Sequence, residues 1–310
     1  MEFFHKVPHI HFLGVRKLAM GMSIVVLLAA IASLAVRGLN FGVDFTGGVT
    51  VQVAYPTSVD LKQVRAALAA GGFENAIAQN YGTPQEVLIR LQAKGQSEKD
   101  AGDKVLVALQ KSEPKVKLEQ VNFVGPEVGK DLATKGALAF AVTLFGIMIY
   151  IVLRFEWRLA LGAVAATLHD VVFVVGFFSL LHIEFDLNVL ASVLAVMGYS
   201  VNDTVVVFDR IREDFRKMRK GTPIEIMDAA INETLSRTIM TSGVTLLVVI
   251  ALLILGGPIL HGFSLALFVG IIVGTYSSIY IASATALMLG VSKSDLMPTR
   301  KEGQPVDDMP

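Results

Sequence analysis

The stretch GYSVNDTVVVFDRIRE, residues 198–213, closes a long apolar run. It places Asn202 and Asp203 several residues before that run reaches its charged end at Asp209 and Arg210. A run of about 20 mostly apolar residues is long enough to cross a bilayer as a helix. An ionisable group inside such a span is costly, and by default it is a functional group. Whether the run crosses a membrane therefore decides both the fold and the meaning of Asp203.

Composition places the chain with membrane proteins. Of 310 residues, 53% are hydrophobic and 17% charged, with a mean hydropathy of +0.60; soluble domains average about 45–50% apolar and about 25% charged. The formal net charge is zero, so there is no bulk basic signal for nucleic acid. There is no cysteine, which excludes disulfides, thiolate metal centres and thiol catalysis. No metal site is expected at His5, His9 and His11, which no thiol ligand accompanies.

Six runs are long and apolar enough to span, at about 18–36, 135–153, 158–181, 187–208, 238–256 and 263–290. The first follows Arg16 and Lys17, and its apolar length favours a retained anchor over a cleaved leader. Lys and Arg in short loops set orientation. They collect in 1–17 (Lys6, Arg16, Lys17), at Arg154 and Arg158, in RIREDFRKMRK (210–220), and in the tail 291–310 (Lys293, Arg300, Lys301). The loops HIEFD and GGPILHG carry neither Lys nor Arg. These observations predict both termini in the cytoplasm and segment 37–134 outside. The basic stretch 210–220 reads as a solvated helix facing lipid headgroups.

Segment 37–134 is long enough for one small domain. GGVTVQVAY (47–55) alternates like a strand, and SVDLKQVRAALAAGG (58–72) reads as a capped amphipathic helix stopped by Gly71 and Gly72. NAIAQNYG and EVLIRLQ read as two more strands, SEKDAGDKVLVALQKS as a helix, and VKLEQVNFVG as a last strand. The order β-α-β-β-α-β is the ferredoxin-like split pattern. The expected fold is thus a polytopic α-helical membrane protein with six transmembrane helices and a small α+β ferredoxin-like domain between the first two. No histidine and no nucleophile–base pair appears in that insert, so an enzyme is not expected. Asp44 and Glu127 sit beside glycines at its two ends, where turn chemistry and capping are the plain reading. The glycines of FTGG (45–48) and VGPEVG (124–129) are expected to shape the chain as it leaves and re-enters the membrane.

FGVDFTGG (41–48), with Gly42, Asp44, Phe45, Gly47 and Gly48, follows the first span, and VGPEVG precedes the second. With GYSVNDTVVVFDRIRE, RKGTP (219–223) and LSRTIMTSG (235–243), they resemble the SecF branch of the SecD/SecF family in order and spacing over nearly the whole chain. That family belongs to the resistance-nodulation-division superfamily. The resemblance implies a bacterial inner-membrane subunit that pairs with SecD in a pseudo-symmetric twelve-span assembly. It implies association with the SecYEG translocon and YajC, action on preproteins in late, periplasmic-side export, and energy from the proton motive force with no cofactor. It also implies that Asp203 is the intramembrane aspartate of a proton relay and Arg237 its functionally required arginine.

Asp203 lies about 20–25 Å from the external end of its span, counting about 1.5 Å per residue. Ser200, Asn202 and Thr204 surround it, and Tyr199 shares its face. A proton relay between Asp203 and Arg237 competes with a static buried pair that only joins spans four and five; Asn202 reads equally as a hydrogen-bonding neighbour or as packing. His169 and Asp170, in the middle of span three, point about 100° apart on a helix and are not expected to share one partner. A second relay site competes there with interhelical hydrogen bonding, and no partner can be named from the sequence. Gly270 and Gly274 form a GxxxG followed by Ser277, Ser278 and Ser283, which reads as a close-packing face with a SecD-type partner as a plausible counterpart. Two competing functions remain open: one half of a small-molecule efflux pump of the same superfamily, for which the insert is small, and a purely structural partner of SecD.

Overall fold

The computed structural model describes residues 8–74, 76–91, 98–218 and 220–292. Lys6, His5, Arg219, Lys293, Arg300 and Lys301 lie outside the described residues, as do Asn75 and Ser97, where a strand and a helix were expected to begin. After a short 3-10 turn, α1 runs over Arg16–Arg37. A two-residue strand β1 (Asn40–Phe41) and a single turn α2 (Val43–Thr46) lead into the α+β domain. That domain contains β2 (Gly48–Ala54), α3 (Leu61–Ala70), β3 (Ile77–Tyr81), β4 (Thr83–Leu91), α4 (Glu98–Gln110) and β5 (Lys117–Val124). The remaining elements are α5 (Pro126–Arg154), α6 (Trp157–Leu180), β6 (Glu184–Phe185), α7 (Leu187–Lys217), α8 (Pro223–Leu255) and α9 (Gly257–Ser277). After α9, a π-helical turn over Ser278–Ala282 leads into α10 (Ser283–Met288).

Six of these helical stretches are long and apolar enough to cross a membrane. Most of them outrun the expected apolar segments because local capping sets helix ends, whereas hydropathy sets only the part that suits lipid. The fifth span was expected from 238, yet α8 begins at Pro223. There Thr222 accepts from the Glu225 backbone while the Glu225 carboxylate accepts from the Thr222 backbone N–H at 2.8 Å, closing a capping box with proline in the first turn. Arg237 is therefore deep in a continuous helix, not at its start. Likewise α5 starts at Pro126 behind Gly125, and its polar first turns carry an ion pair between Asp131 and Lys135.

The domain sheet has the order β3-β4-β2-β5 with every neighbouring pair antiparallel, the ferredoxin-like arrangement. Val49, Val51 and Val53 of the central β2 alternate onto the helix-covered side with Val64, Leu68, Ile89, Val105 and Leu109. Asp60 caps α3 by accepting from Lys62 N, and Gly71 and Gly72 end it, Gly72 at φ +88. The opposite sheet face looks toward the helices. β1 pairs in parallel with β6, which ties the exit of α1 to the loop between α6 and α7.

Paired glycines close this junction. A Cβ on Gly129 would stand 2.7 Å from the backbone nitrogen of Gly47, and one on Gly48, at φ +146, would stand 2.6 Å from the Leu91 carbonyl oxygen. The two glycine motifs thus press backbone to backbone where the chain leaves and re-enters the helical bundle.

Within the bundle, α6, α7 and the continuous span of α9, the π turn and α10 are the central members, with 61%, 50% and 56% of their most apolar residues buried. The spans built on α1, α5 and α8 are peripheral, at 22%, 11% and 17%. Gly270 and Gly274 form a close-packing face, as the GxxxG spacing suggested, and the face they meet is within this chain: their missing Cβ atoms make room for Val196 and Ser200 of α7. The stretch 210–217 is also not a freely solvated helix. Ile211, Asp214 and Phe215 are buried, Asp209 accepts from Arg154 of α5 at 2.6 and 2.8 Å, and Arg210 pairs with Glu233 of α8.

Candidate functional site

The structure brings two carboxylates into the centre of the bundle. Asp203 of α7 is 5% exposed and Asp170 of α6 fully buried. Thr238 Oγ1 of α8 donates to Asp203 Oδ1 at 2.9 Å, and Ser278 Oγ of the π turn donates to Oδ2 at 2.7 Å. Both carboxylate oxygens are therefore held by hydroxyls from two other helices. Arg237 is not in that cradle. It is exposed, one residue from Thr238, and lines an open cleft with Asp209, Arg210 and Glu233. Adjacent helical residues diverge by about 100°, so when Thr238 faces Asp203, Arg237 faces away.

Asp170 has its own cradle, and the structure names the partners that the sequence could not. Ser277 Oγ donates to Asp170 Oδ2 at 2.7 Å, Ser200 Oγ donates to the same oxygen, and His169 Nδ1 lies 2.9 Å from Oδ1. His169 and Asp170 thus meet each other despite their divergent directions. The His169 ring lies beside Phe173 and Tyr276.

The other predicted residues divide. Ser200 belongs to the Asp170 cradle, Thr204 is buried, and Asn202 faces outward from the bundle. Tyr199 donates to Ser242, which also meets Thr275. The functional neighbours that the sequence reading missed are Thr238 and the polar use of Ser277 and Ser278. The signal was present, since Thr238 follows Arg237 and both serines follow a glycine that brings their helix close. His11 Nδ1 lies 3.9 Å from Asp228, an acidic neighbour from a distant part of the chain, and among the described residues no group of three His, Asp or Glu could hold a metal ion.

A second polar region lies between the sheet and the bundle, in a cleft of about 160 Å³ lined in part by Asp44, Thr50, Tyr81, Glu184 and Asp186. Asp44 does cap a helix end: its carboxylate accepts from Leu187 N at 3.0 Å, beside Asp186, which accepts from Val189 N at 2.8 Å. Gly42 gives its N–H to Phe185, and Phe45 stacks on Phe185. Arg90, buried in β4, donates to the Phe41 carbonyl at 2.8 Å and approaches Glu184 at 3.7 Å. Burial raises the Glu184 carboxyl above its ordinary range, Arg90 offsets part of that, and Asp186 adds to it. Burial also raises Asp186, and together with Glu184 and Asp186 it pushes the Tyr81 hydroxyl up to about 12.

The fold and site define a multi-pass membrane protein with hydroxyl-cradled carboxylates inside a six-helix bundle and a small α+β domain held against one end. The family model described as "Protein export membrane protein SecD/SecF, C-terminal" matches residues 104–292, and that of the "SecD/SecF GG Motif" matches residues 32–57. The chain belongs to the SecD/SecF family of protein-export membrane proteins. It is 50% identical over 305 residues to the protein translocase subunit SecF of Vibrio alginolyticus, covering 97% of each chain. It is 43% identical over 307 residues to that of Pseudomonas aeruginosa, covering 98% of this chain and 99% of the relative. Among solved structures it is similar to SecDF, a translocon-associated membrane protein from Thermus thermophilus, with a TM-score of 0.83 and 37% identity. That match covers 91% of this chain and 39% of the longer SecDF chain. A SecDF structure in a super-membrane-facing form gives a TM-score of 0.69 at 35% identity, covering 93% and 39%.

Proposed function

We propose that this chain is the SecF-type accessory subunit of a Sec protein translocase, which works with a SecD-type partner to apply the proton motive force to late, periplasmic-side stages of preprotein export. It is a non-enzymatic subunit and needs no cofactor. The observation that carries the reading is Asp203: a carboxylate about 24 Å along its helix from the domain end, with both oxygens accepting from side-chain hydroxyls. A hydroxyl can donate to a carboxylate and also accept from a carboxylic acid, so the cradle suits both protonation states. A static pair with Arg237 is not favoured, because that guanidinium is exposed.

The match to 39% of a SecDF chain leaves the rest of such an assembly to a partner. The peripheral faces of α5 and α8 offer surface for it, and so do Asn202 and Arg237, both exposed. Arg237 then serves the relay from the subunit boundary. The loop charges favour cytoplasmic termini, a periplasmic domain over 37–134 and residence in a bacterial inner membrane. SecYEG, YajC and preproteins are the further partners of this reading.

The test replaces Asp203 with Asn, and separately Arg237 with Met, at unchanged levels of the complex, and follows proton-gradient-dependent completion of preprotein export. Loss of that dependence in either variant supports the relay. Full activity in both would overturn it, and a drug-sensitivity phenotype without an export defect in a deletion strain would favour an efflux half-transporter.

A further inference from the structure

Ser277 and Ser278 are consecutive residues, both fully buried, and each donates to a different carboxylate. Ser277 serves Asp170 of α6, and Ser278 serves Asp203 of α7. The pair sits where the α-helical course of α9 gives way to the π turn over Ser278–Ala282. Single π turns are rare and often occur at functional sites. Ser200 makes a second connection: it donates to Asp170 and sits one turn from Asp203 on α7. That places Asp170 nearer the domain end of the bundle than Asp203.

We propose that Asp170 is a second proton-binding carboxylate of this chain, coupled to Asp203 through the adjacent hydroxyls of Ser277 and Ser278. The inference rests on the reading of Asp203 as a proton-accepting group.

Each serine has two acceptors within reach. Ser277 Oγ lies 2.7 Å from Asp170 and 3.1 Å from the Gly274 carbonyl; Ser278 Oγ lies 2.7 Å from Asp203 and 3.0 Å from the Thr275 carbonyl. A hydroxyl has one proton to give. An ionised carboxylate takes that proton as a hydrogen bond. When a solvent proton forms an O–H bond at a carboxyl oxygen, the acid becomes a donor itself, and its serine turns to the backbone carbonyl one turn back. The serine keeps its own proton throughout, so the only net event is binding of one proton to one carboxyl group. Because the serines are neighbours on one turn, a shift of that turn at one carboxylate moves the donor of the other. Two groups linked in this way titrate as a pair.

The groups facing each site are consistent with such a pair. Asp170 meets His169 on its own helix, Ser200 from α7 and Ser277 from α9, with Tyr276 beside the His169 ring. Asp203 meets Thr238 from α8 and Ser278, with Arg237 the nearby cation. The buried His169–Asp170 contact gives Asp170 an imidazole neighbour on its own helix.

The purified complex with its SecD-type partner, in lipid, is titrated by infrared difference spectroscopy in the carboxylic-acid carbonyl region. Wild type should show two buried carboxyl signals. Asp170→Asn should remove one and Asp203→Asn the other, each shifting the midpoint of the signal that remains. The double change Ser277→Ala with Ser278→Ala should leave both signals but abolish that mutual shift. In cells, Asp170→Asn should lower gradient-dependent export by about tenfold or more, as expected for loss of over 1.4 kcal/mol. An Asp170 signal missing from wild type, or two midpoints that ignore each other, would overturn the inference while loss of export in Asp203→Asn still upheld the relay. Retained gradient dependence in Asp203→Asn would overturn the relay reading, and the coupling with it. If Asp170→Asn fails to assemble, Asp203→Asn made with and without the serine changes decides, since an Asp170 midpoint that it shifts equally in both backgrounds overturns the proposal.

Discussion

Thr238 gives its hydroxyl to Asp203 at 2.9 Å, while Arg237, the residue before it, is exposed. The uncharged neighbour is the one that touches the carboxylate. A hydrogen bond to a charged group contributes about 1.5–3 kcal/mol, so removing only the hydroxyl should be felt strongly. Thr238→Val keeps the branched shape of the side chain and should reduce gradient-dependent preprotein export by about tenfold or more. Thr238→Ser should retain it. Equal export in both variants, at matched levels of the complex, would mean that this contact carries no function.

The approach of Gly47 to Gly129 allows a sharper contrast. At Gly129 an added methyl meets the Gly47 backbone at 2.7 Å, whereas at Gly125, four residues earlier, the nearest atom is the Phe123 ring at 4.0 Å. Overpacking against backbone typically costs about 1–3 kcal/mol. Gly129→Ala should lower the thermal unfolding midpoint of the complex and loosen the junction of domain and bundle, seen as cleavage by added protease near residues 42–48. Gly125→Ala should behave as wild type.

The membrane class, the six spans and the split αβ domain were legible because hydropathy, alternation and capping are local signals. Helix ends were less so: hydropathy could not show that α8 starts at Pro223, but the Thr222–Glu225 capping box was there to be read. The site was legible only in part. Asp203 stands out because a carboxylate in an apolar run is anomalous, and no local signal could say that its partners are Thr238 and Ser278, which lie 35 and 75 residues away. Arg237 drew attention by its charge, while serines and threonines in apolar helices look like ordinary packing until the helices are assembled. Asp170 was seen, but its partners Ser200 and Ser277 depend on how closely α7 and α9 approach. The outward direction of Asn202 and Arg237 likewise belongs to the assembled bundle.

The junction should respond to pH. Glu184 and Asp186 are both raised by burial, so the folded state holds their protons more tightly than the unfolded chain does. A raised acid favours the folded form below the ordinary carboxylate value, about 4. That contribution is lost as pH rises through the elevated folded values. Docking of the sheet onto the helices should therefore be tighter in mild acid and looser toward neutrality, read as hydrogen exchange of amides in 40–48 and 184–190. Glu184→Gln should flatten the profile, because an amide has nothing to titrate. Protection factors that stay constant across that window in wild type, once the intrinsic pH dependence of amide exchange is divided out, would sink this prediction.

Gly270 tests whether the two carboxylates depend on one helix contact. A Cβ there would stand 2.2 Å from Val196 Cγ2, and Val196 is fully buried on α7, one turn before Ser200. Gly270→Ala should push the last helix away from α7 and draw Ser277 and Ser278 from Asp170 and Asp203. Stability should fall by about 1–3 kcal/mol, and gradient-dependent export should fall with it. Val196→Ala frees the space that the new methyl needs. Contacting residues show non-additive effects, so Gly270→Ala combined with Val196→Ala should recover both thermal stability and export relative to Gly270→Ala alone. Additive losses in the double variant would place the fault elsewhere, and would show that the cradle does not depend on the approach of these two helices.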